Sequence, residues 1–227
     1  MPGTEDSAGS TAEPLAHARP AVERWLTWSG LIPLPVFLLL HLGRELALAF
    51  ATDVQDVLRP GPSLFTTVTA WLLVWAPLAA HIGLAAWLTL SGRKRSSLAE
   101  DVARMPRRLS QWTSLLSLLF LVYHARAYAV AAWLGAADAR DAGFRLIAEL
   151  SSTRFGAPLV AAGYLFGLLA TVTHAALGVH RGLLAEGFLK EPARRRASAR
   201  ACAGFGAAAF CVGAAAVIRV ASGLILR

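Results

Sequence analysis

The stretch LIPLPVFLLLHLGRELAL, residues 31–48, decides the fold class, because it places His41 inside an apolar run. A helix of about 20 apolar residues crosses a bilayer. The chain has 227 residues, of which 56% are hydrophobic and 16% are charged, and four further apolar runs follow this one. The sequence therefore predicts an all-α membrane protein. An imidazole in hydrocarbon is costly unless a partner satisfies it, so His41 also marks a candidate site.

Five transmembrane helices are predicted at 24–50, 64–91, 110–134, 157–185 and 199–223. Clusters of proline and glycine separate them. Residues 1–20 are small, polar and proline-containing, which predicts a disordered tail. The remainder, 21–227, is predicted to be one membrane domain whose first four helices form a bundle. The segment ARDAGFRLIAEL, residues 139–150, predicts a short amphipathic helix on the outer surface.

The net charge of +8 comes mainly from two connections between predicted helices, and not from a nucleic-acid-binding patch. The second connection, 91–110, and the fourth, 181–200, each carry six Lys or Arg residues. Cytoplasmic loops carry such an excess, so these two loops and the N-terminus are predicted to face the cytoplasm from the inner membrane. The two cysteines, Cys202 and Cys211, form no CxxC or CxxCH pattern, which argues against thiolate metal sites and covalently attached haem.

Four histidines each lie deep in a different one of the first four helices: His41, His81, His124 and His174. At 1.5 Å per residue, His41 and His124 lie about 25 and 24 Å from the inner side. His81 and His174 lie about 28 and 24 Å from the outer side. The sequence thus predicts two pairs at two depths. In an up-down bundle each pair joins diagonal helices, and two facing imidazoles are the axial ligands of a low-spin haem.

Three glycines share a helix face with His174: Gly163, Gly167 and Gly178. Small residues there would leave room for a flat porphyrin beside its ligand. The GxxxG formed by Gly163 and Gly167 is equally typical of close packing between membrane helices.

Arginines are candidate partners for haem propionates. Arg44 lies three residues beyond His41 and Arg181 seven beyond His174, so each shares the face of its histidine. Arg126 is a weaker candidate, since its position two residues beyond His124 points it away from that ligand.

Histidines in a membrane can also form hydrogen bonds between helices or belong to a proton path. Four of them, one per helix at two matched depths, favour haem. Zinc or copper would need three or four ligands at one depth.

Two segments resemble motifs of a known family: GLIPLPVFLLLHL, residues 30–42, and HAALGVHR, residues 174–181. Together with the five-helix, four-histidine layout, they make the chain similar to the diheme cytochrome b membrane anchor of succinate dehydrogenase and fumarate reductase. The resemblance implies two b haems, with His81 and His174 as ligands of the proximal one and His41 and His124 as ligands of the distal one. Val172 stands where some members carry a glutamate of a proton path, and Leu177 where others have asparagine.

The resemblance implies a membrane anchor and electron-transfer subunit of a succinate:quinone oxidoreductase, in the respiratory chain and tricarboxylic acid cycle. The chain has no GxGxxG dinucleotide motif and has too few cysteines for iron–sulfur clusters. A flavoprotein and an iron–sulfur protein are therefore expected on its cytoplasmic face. Electrons would pass from the iron–sulfur protein through the proximal and distal haems to quinone, with menaquinone expected.

Quinone reduction needs a proton-accepting group near the ring. The candidates are Glu45 and Asp53, at the outer end of the first helix, although acids at a helix exit are also ordinary interface charges. Two other functions remain open. One is the cytochrome b subunit of another respiratory complex, of the hydrogenase or formate dehydrogenase type. The other is a haem-free transporter or assembly protein.

Overall fold

The structure, a computed structural model, describes residues 21–50, 68–69, 71–91, 107–126 and 139–222. Its main α-helices are α1 (Ala21–Leu31), α2 (Pro33–Phe50), α3 (Ala76–Leu90), α4 (Arg107–Ala125), α5 (Ala139–Ser151), α6 (Leu159–Ala185) and α7 (Pro192–Ala221). In these ranges no β-strand occurs, and the β-type pairing is one isolated bridge between Arg154 and Ala157. The all-α prediction is confirmed for the described residues.

Prolines explain where two of the predicted helices are interrupted. Pro33 has no backbone N–H and is tolerated in the first turn of a helix, so α1 ends at Leu31 and α2 begins after Ile32. Pro77 lies in the first turn of α3 and cannot donate to the carbonyl four residues before it. A π-helical turn at Trp71–Trp75 precedes it, which is one way that a helix absorbs such a missing bond.

Four described helical segments are long and apolar enough to cross a membrane: Ala21–Arg44, Trp71–Leu90, Leu159–Ala185 and Pro192–Ala221. They correspond to the first, second, fourth and fifth predicted spans. The third prediction, 110–134, is helical from Arg107 to Ala125, and its part from 127 onward lies outside the described residues. The first turns of α4 are polar, with Arg107, Arg108 and Gln111, which lowers the hydropathy of its described part.

One predicted boundary is wrong. The fifth helix was expected to begin at 199, but α7 begins at Pro192 and includes the arginine-rich segment that the prediction assigned to a loop. Arginine is a good helix former, and proline is favoured in the first helical turn, so charge alone does not end a helix here. The connection between α6 and α7 is accordingly short, residues 186–191.

The helix α6 is the centre of the packing. It lies against α4 and α7 along much of its length and against the end of α1, while α7 also contacts α2. An apolar cluster of buried residues joins α2, α6 and α7: Leu38, Val172, Ala175 and Ala209. Small residues allow the close approach of α6 and α7, since a Cβ on Gly213 would lie 2.6 Å from Leu168 Cδ2.

The predicted amphipathic segment is helical, as α5, and its apolar side is packed on protein. Ile147 and Leu150 are buried in a cluster with Tyr164 of α6 and Val220 of α7. The Ser151 hydroxyl donates a hydrogen bond to the Val220 carbonyl, with an oxygen–oxygen distance of 3.0 Å. The helix therefore covers the ends of α6 and α7 instead of lying apart from the bundle.

Candidate functional site

The structure brings His41 of α2 and His124 of α4 together. Their ring centroids are 5.9 Å apart, with the ring planes at 76°. The helices α2 and α4 are not among the closely packed helix pairs of the described chain, so the two side chains meet across the bundle. Two metal–nitrogen bonds of about 2 Å, plus about 1 Å from each nitrogen to its ring centre, give a similar separation of about 6 Å for imidazoles sharing one iron.

Aromatic rings surround this pair. Phe37 stacks on His41 with centroids 5.3 Å apart, and Phe120 stacks on His124 at 5.7 Å. Each phenyl ring lies one helical turn before its histidine, at the spacing that places side chains on one face. The ring of Tyr164, on α6, meets His124 edge-on at 5.8 Å. These contacts orient both imidazoles within apolar surroundings.

His81 of α3 is held differently, by the backbone of α1. Its Nδ1 lies 3.0 Å from the Leu26 carbonyl oxygen and 3.3 Å from the Ser29 hydroxyl oxygen. A carbonyl oxygen only accepts, so Nδ1–H donates this bond and Nε2 of the neutral ring carries no proton. That is the tautomer in which an imidazole binds a metal through Nε2 while a second group orients it.

Gly30 makes this contact sterically possible. A Cβ at position 30 would lie 2.6 Å from His81 Cε1 and 2.8 Å from Nδ1, both closer than real Cβ contacts. Sequence analysis did not select Leu26, Ser29 or Gly30. The available signal was a glycine within a helical segment, where glycine is destabilising unless another group approaches the backbone closely.

His81 and His174 form the second predicted pair. His174 of α6 lies within electrostatic range of His81 and of Arg181, the arginine predicted on its face. The helices α3 and α6 are not among the closely packed pairs of the described chain. His81 is level with residues 26–30 of the first span, whereas His41 is 11 residues beyond Gly30, or about 16 Å further along the helix. The pairs thus lie at two levels.

The other predicted polar residues differ in their surroundings. Arg44 is exposed at the end of the first span. Arg126 is also exposed, and its guanidinium carbon lies 5.6 Å from the centre of the Tyr123 ring. The candidate quinone residues are Glu45 and Asp53. The backbone of Glu45 belongs to α2, but its side chain and the whole of Asp53 lie outside the described residues.

The three glycines predicted to lie beside His174 fall into two groups. A Cβ on Gly167 would overlap the ring of Phe120, so this glycine allows α4 to approach α6. Because Phe120 in turn stacks on His124, Gly167 supports the first histidine pair through one intermediate ring. At Gly163 and Gly178 an added Cβ would meet nothing within 4 Å, and both residues border open space.

Val172 packs in the apolar cluster between α2, α6 and α7, with only 2% of its surface exposed. Its position, two residues before His174, therefore faces apolar side chains of two other helices. A carboxylate there would be buried among them at a high desolvation cost.

Over its described residues the chain is all-helical, with four candidate membrane-spanning helices, a ring contact between His41 and His124, and His174 within electrostatic range of His81. Comparison with known proteins adds no family to this description. No family model, no curated protein and no solved structure matches the chain. A functional assignment therefore depends on the sequence pattern and on the geometry of the two pairs.

Proposed function

We propose that this chain is the membrane anchor and electron-transfer subunit of a succinate:quinone oxidoreductase, holding two b haems. The observation that carries the proposal is that the four histidines fall into two groups at two levels. His41 and His124 are in ring contact, and His174 lies within electrostatic range of His81. A hydrogen-bonding or proton-path role would not require two such pairs. The pattern is the one expected of two bis-histidine sites.

The donor sets fit haem iron. His41 and His124 have the ring separation that two imidazoles on one iron require. The hydrogen bond from His81 Nδ1 to the Leu26 carbonyl sets the tautomer in which Nε2 carries no proton, which is the form that binds a metal. A bound haem would supply reversible one-electron transfer at its iron.

The residues of the chain would then hold and insulate these groups. The four imidazoles would hold the two irons. The Leu26 carbonyl would orient the ring of His81, and Phe37 and Phe120 would exclude water from the pair formed by His41 and His124. Arg181, which is half-buried and lies two helical turns beyond His174 on the same face, is the best-placed partner for a propionate. Arg44 is proposed for the other haem, and Arg126, turned towards Tyr123, is a poorer candidate.

The finer topology belongs to the same proposal. We propose that α4 continues beyond Ala125 and crosses the membrane, which brings the number of spans to five. The N-terminus and the basic connections are proposed to lie on the cytoplasmic side of the inner membrane. The flavoprotein and iron–sulfur subunits would dock on this basic face. Menaquinone would be reduced near the outer end of α2, close to the His41 pair and to Glu45 and Asp53.

The test is a set of spectra of membranes that contain the chain together with its soluble partner subunits. Succinate should reduce b haem, and added quinone should reoxidise it. Reduction by dithionite but not by succinate, with reduction by hydrogen or formate instead, would assign the chain to another respiratory complex. Absence of any haem band in the reduced membranes would reject the haem proposal and favour a transporter or assembly protein.

A further inference from the structure

A cleft of about 420 Å³ lies between α6 and α7, and none of the four histidines that the proposed function uses lines it. Its walls are mostly small and apolar, with Val172 and Ala176 on α6 and Ala199, Ala203 and Phe210 on α7. On α7 it extends from Ala199 to Cys211, twelve residues or about 18 Å. One leaflet of the hydrocarbon core is about 15 Å thick, so the cleft has the length of a single leaflet.

One end of the cleft is polar. His180 lines it, and its Nδ1 lies 3.0 Å from the Ser198 hydroxyl oxygen, which joins the end of α6 to the beginning of α7. Arg196 and Arg200 precede Ala203 by seven and three residues, so both lie on the face of α7 that lines the cleft. Both are exposed. Among the described residues, the ion pair in this segment joins Arg194, on the opposite face, to Glu191 at 3.4 Å.

We propose that this cleft binds an anionic phospholipid, with one acyl chain between α6 and α7 and the phosphate at Arg196 and Arg200. Charge complementarity favours this occupant over a quinone, since a quinone head is uncharged and would leave two guanidinium groups without a counter-charge. Basic pockets between membrane helices on the cytoplasmic side are typical sites for anionic head groups. The proposal does not depend on haem or on the histidine pairs.

The test uses the full chain in nanodiscs of equal phosphatidylglycerol and phosphatidylcholine, with retained lipids counted by native mass spectrometry. The wild-type protein should retain phosphatidylglycerol selectively. Arg196→Gln should weaken that retention about fivefold, and the double variant with Arg200→Gln about 25-fold, because each arginine near the head group contributes about 1 kcal/mol. Arg194→Gln is the matched control: it removes the same charge from the other face and should leave retention unchanged.

A second pair of variants tests the apolar part. Ala203→Phe places a ring in the middle of the cleft and should abolish selective retention, while Ala208→Phe, five residues further on and outside the cleft, should not. Equal retention in the Arg196→Gln and Arg194→Gln proteins, or equal binding of the two lipids, would overturn the proposal. So would displacement of phosphatidylglycerol by an isoprenoid naphthoquinone added to the nanodiscs. Haem content, measured on the same samples, reports separately on the proposed function.

Discussion

The two histidine pairs are built from different contacts. His41 and His124 are surrounded by rings, with Phe37, Phe120 and Tyr164 within 6 Å between centroids. His81 is held instead by a carbonyl and a hydroxyl of α1. Stacked rings restrict the orientation of an imidazole but do not select its tautomer. A hydrogen bond to a carbonyl does both, because it places the proton on one nitrogen.

Under the proposed function, this difference means that some substitutions should act on one of the two proposed haems and leave the other unchanged. Substitutions of the aromatic rings should affect the haem component assigned to His41 and His124. Substitutions at Ser29 and Gly30 of α1 should affect the component assigned to His81 and His174. Each prediction below tests whether the two sites are separable in this way.

The largest effect is expected from removing a ligand. His124→Leu and His41→Leu should each eliminate or convert to high spin the same one of two haem components, since a five-coordinate iron lacks its second axial imidazole. His81→Leu and His174→Leu should do the same to the other component. Optical redox titration of the purified variants measures this. Loss of the same component in the His41 and His81 variants would show that the pairing is wrong.

A smaller but selective effect is expected at Gly30. Gly30→Ala places a Cβ 2.6 Å from the imidazole of His81 and should displace that ring. The electron paramagnetic resonance signal and the midpoint potential of the His81 component should both change. Gly83→Ala, on α3 itself, and Gly43→Ala, on α2, are controls, because a Cβ there meets nothing within 4 Å.

The Gly30 prediction has two possible failures that differ in meaning. If Gly30→Ala resembles Gly83→Ala in both readouts, the contact with α1 does not position the ligand. If it changes the component that His124→Leu eliminates, His81 belongs to the other site.

Phe120→Leu should alter only the component of His41 and His124. The substitution removes a ring that contacts His124, Tyr164 and Gly167, and each aromatic pair contributes about 0.5–1.5 kcal/mol beyond its buried area. A shifted potential for one component is expected, with both haems retained. Phe205→Leu, at an exposed position of α7, provides the comparison. An equal shift in both components would argue against separate surroundings.

The smallest effect is expected from Ser29→Ala. This change removes the 3.3 Å contact with His81 Nδ1 but keeps the 3.0 Å bond to the Leu26 carbonyl. One hydrogen bond contributes about 0.5–1.5 kcal/mol, so the shift should be smaller than for Gly30→Ala and confined to the same component. Ser117→Ala removes a hydroxyl bond between α4 and α6, to Thr171, and should leave the His81 component unchanged. A larger shift in Ser29→Ala than in Gly30→Ala would mean that the hydroxyl is the main orienting group.

The helices were largely predictable, since the apolar runs that form them are long and the prolines that interrupt them are visible in the sequence. The start of α7 could not be predicted, because arginines are compatible both with a cytoplasmic loop and with a helix. The common depth of His41 and His124 followed from counting residues, because the rise of a helix per residue is constant. Their ring contact is an observation of the structure. Whether α4 completes a fifth span remains a prediction.

The surroundings of the histidines could not be predicted. The contact between Gly30 and His81 depends on how α1 and α3 are rotated about their axes and how closely they cross. Spacing within each helix carries no information about either quantity. The role of Phe120 between Gly167 and His124 arises in the same way, from the packing of α4 on α6. In contrast, the contact of Phe37 with His41 could have been predicted from the sequence, because Phe37 lies four residues before His41 on the same helix.

The most direct test of the central claim is a dithionite-reduced minus oxidised spectrum of the purified full chain, combined with its haem-to-protein ratio. Two histidine pairs at two levels predict two non-covalent b haems per chain, falling to one when either pair loses a ligand. A ratio near one in the wild-type protein, or a spectrum without a haem band, would contradict it.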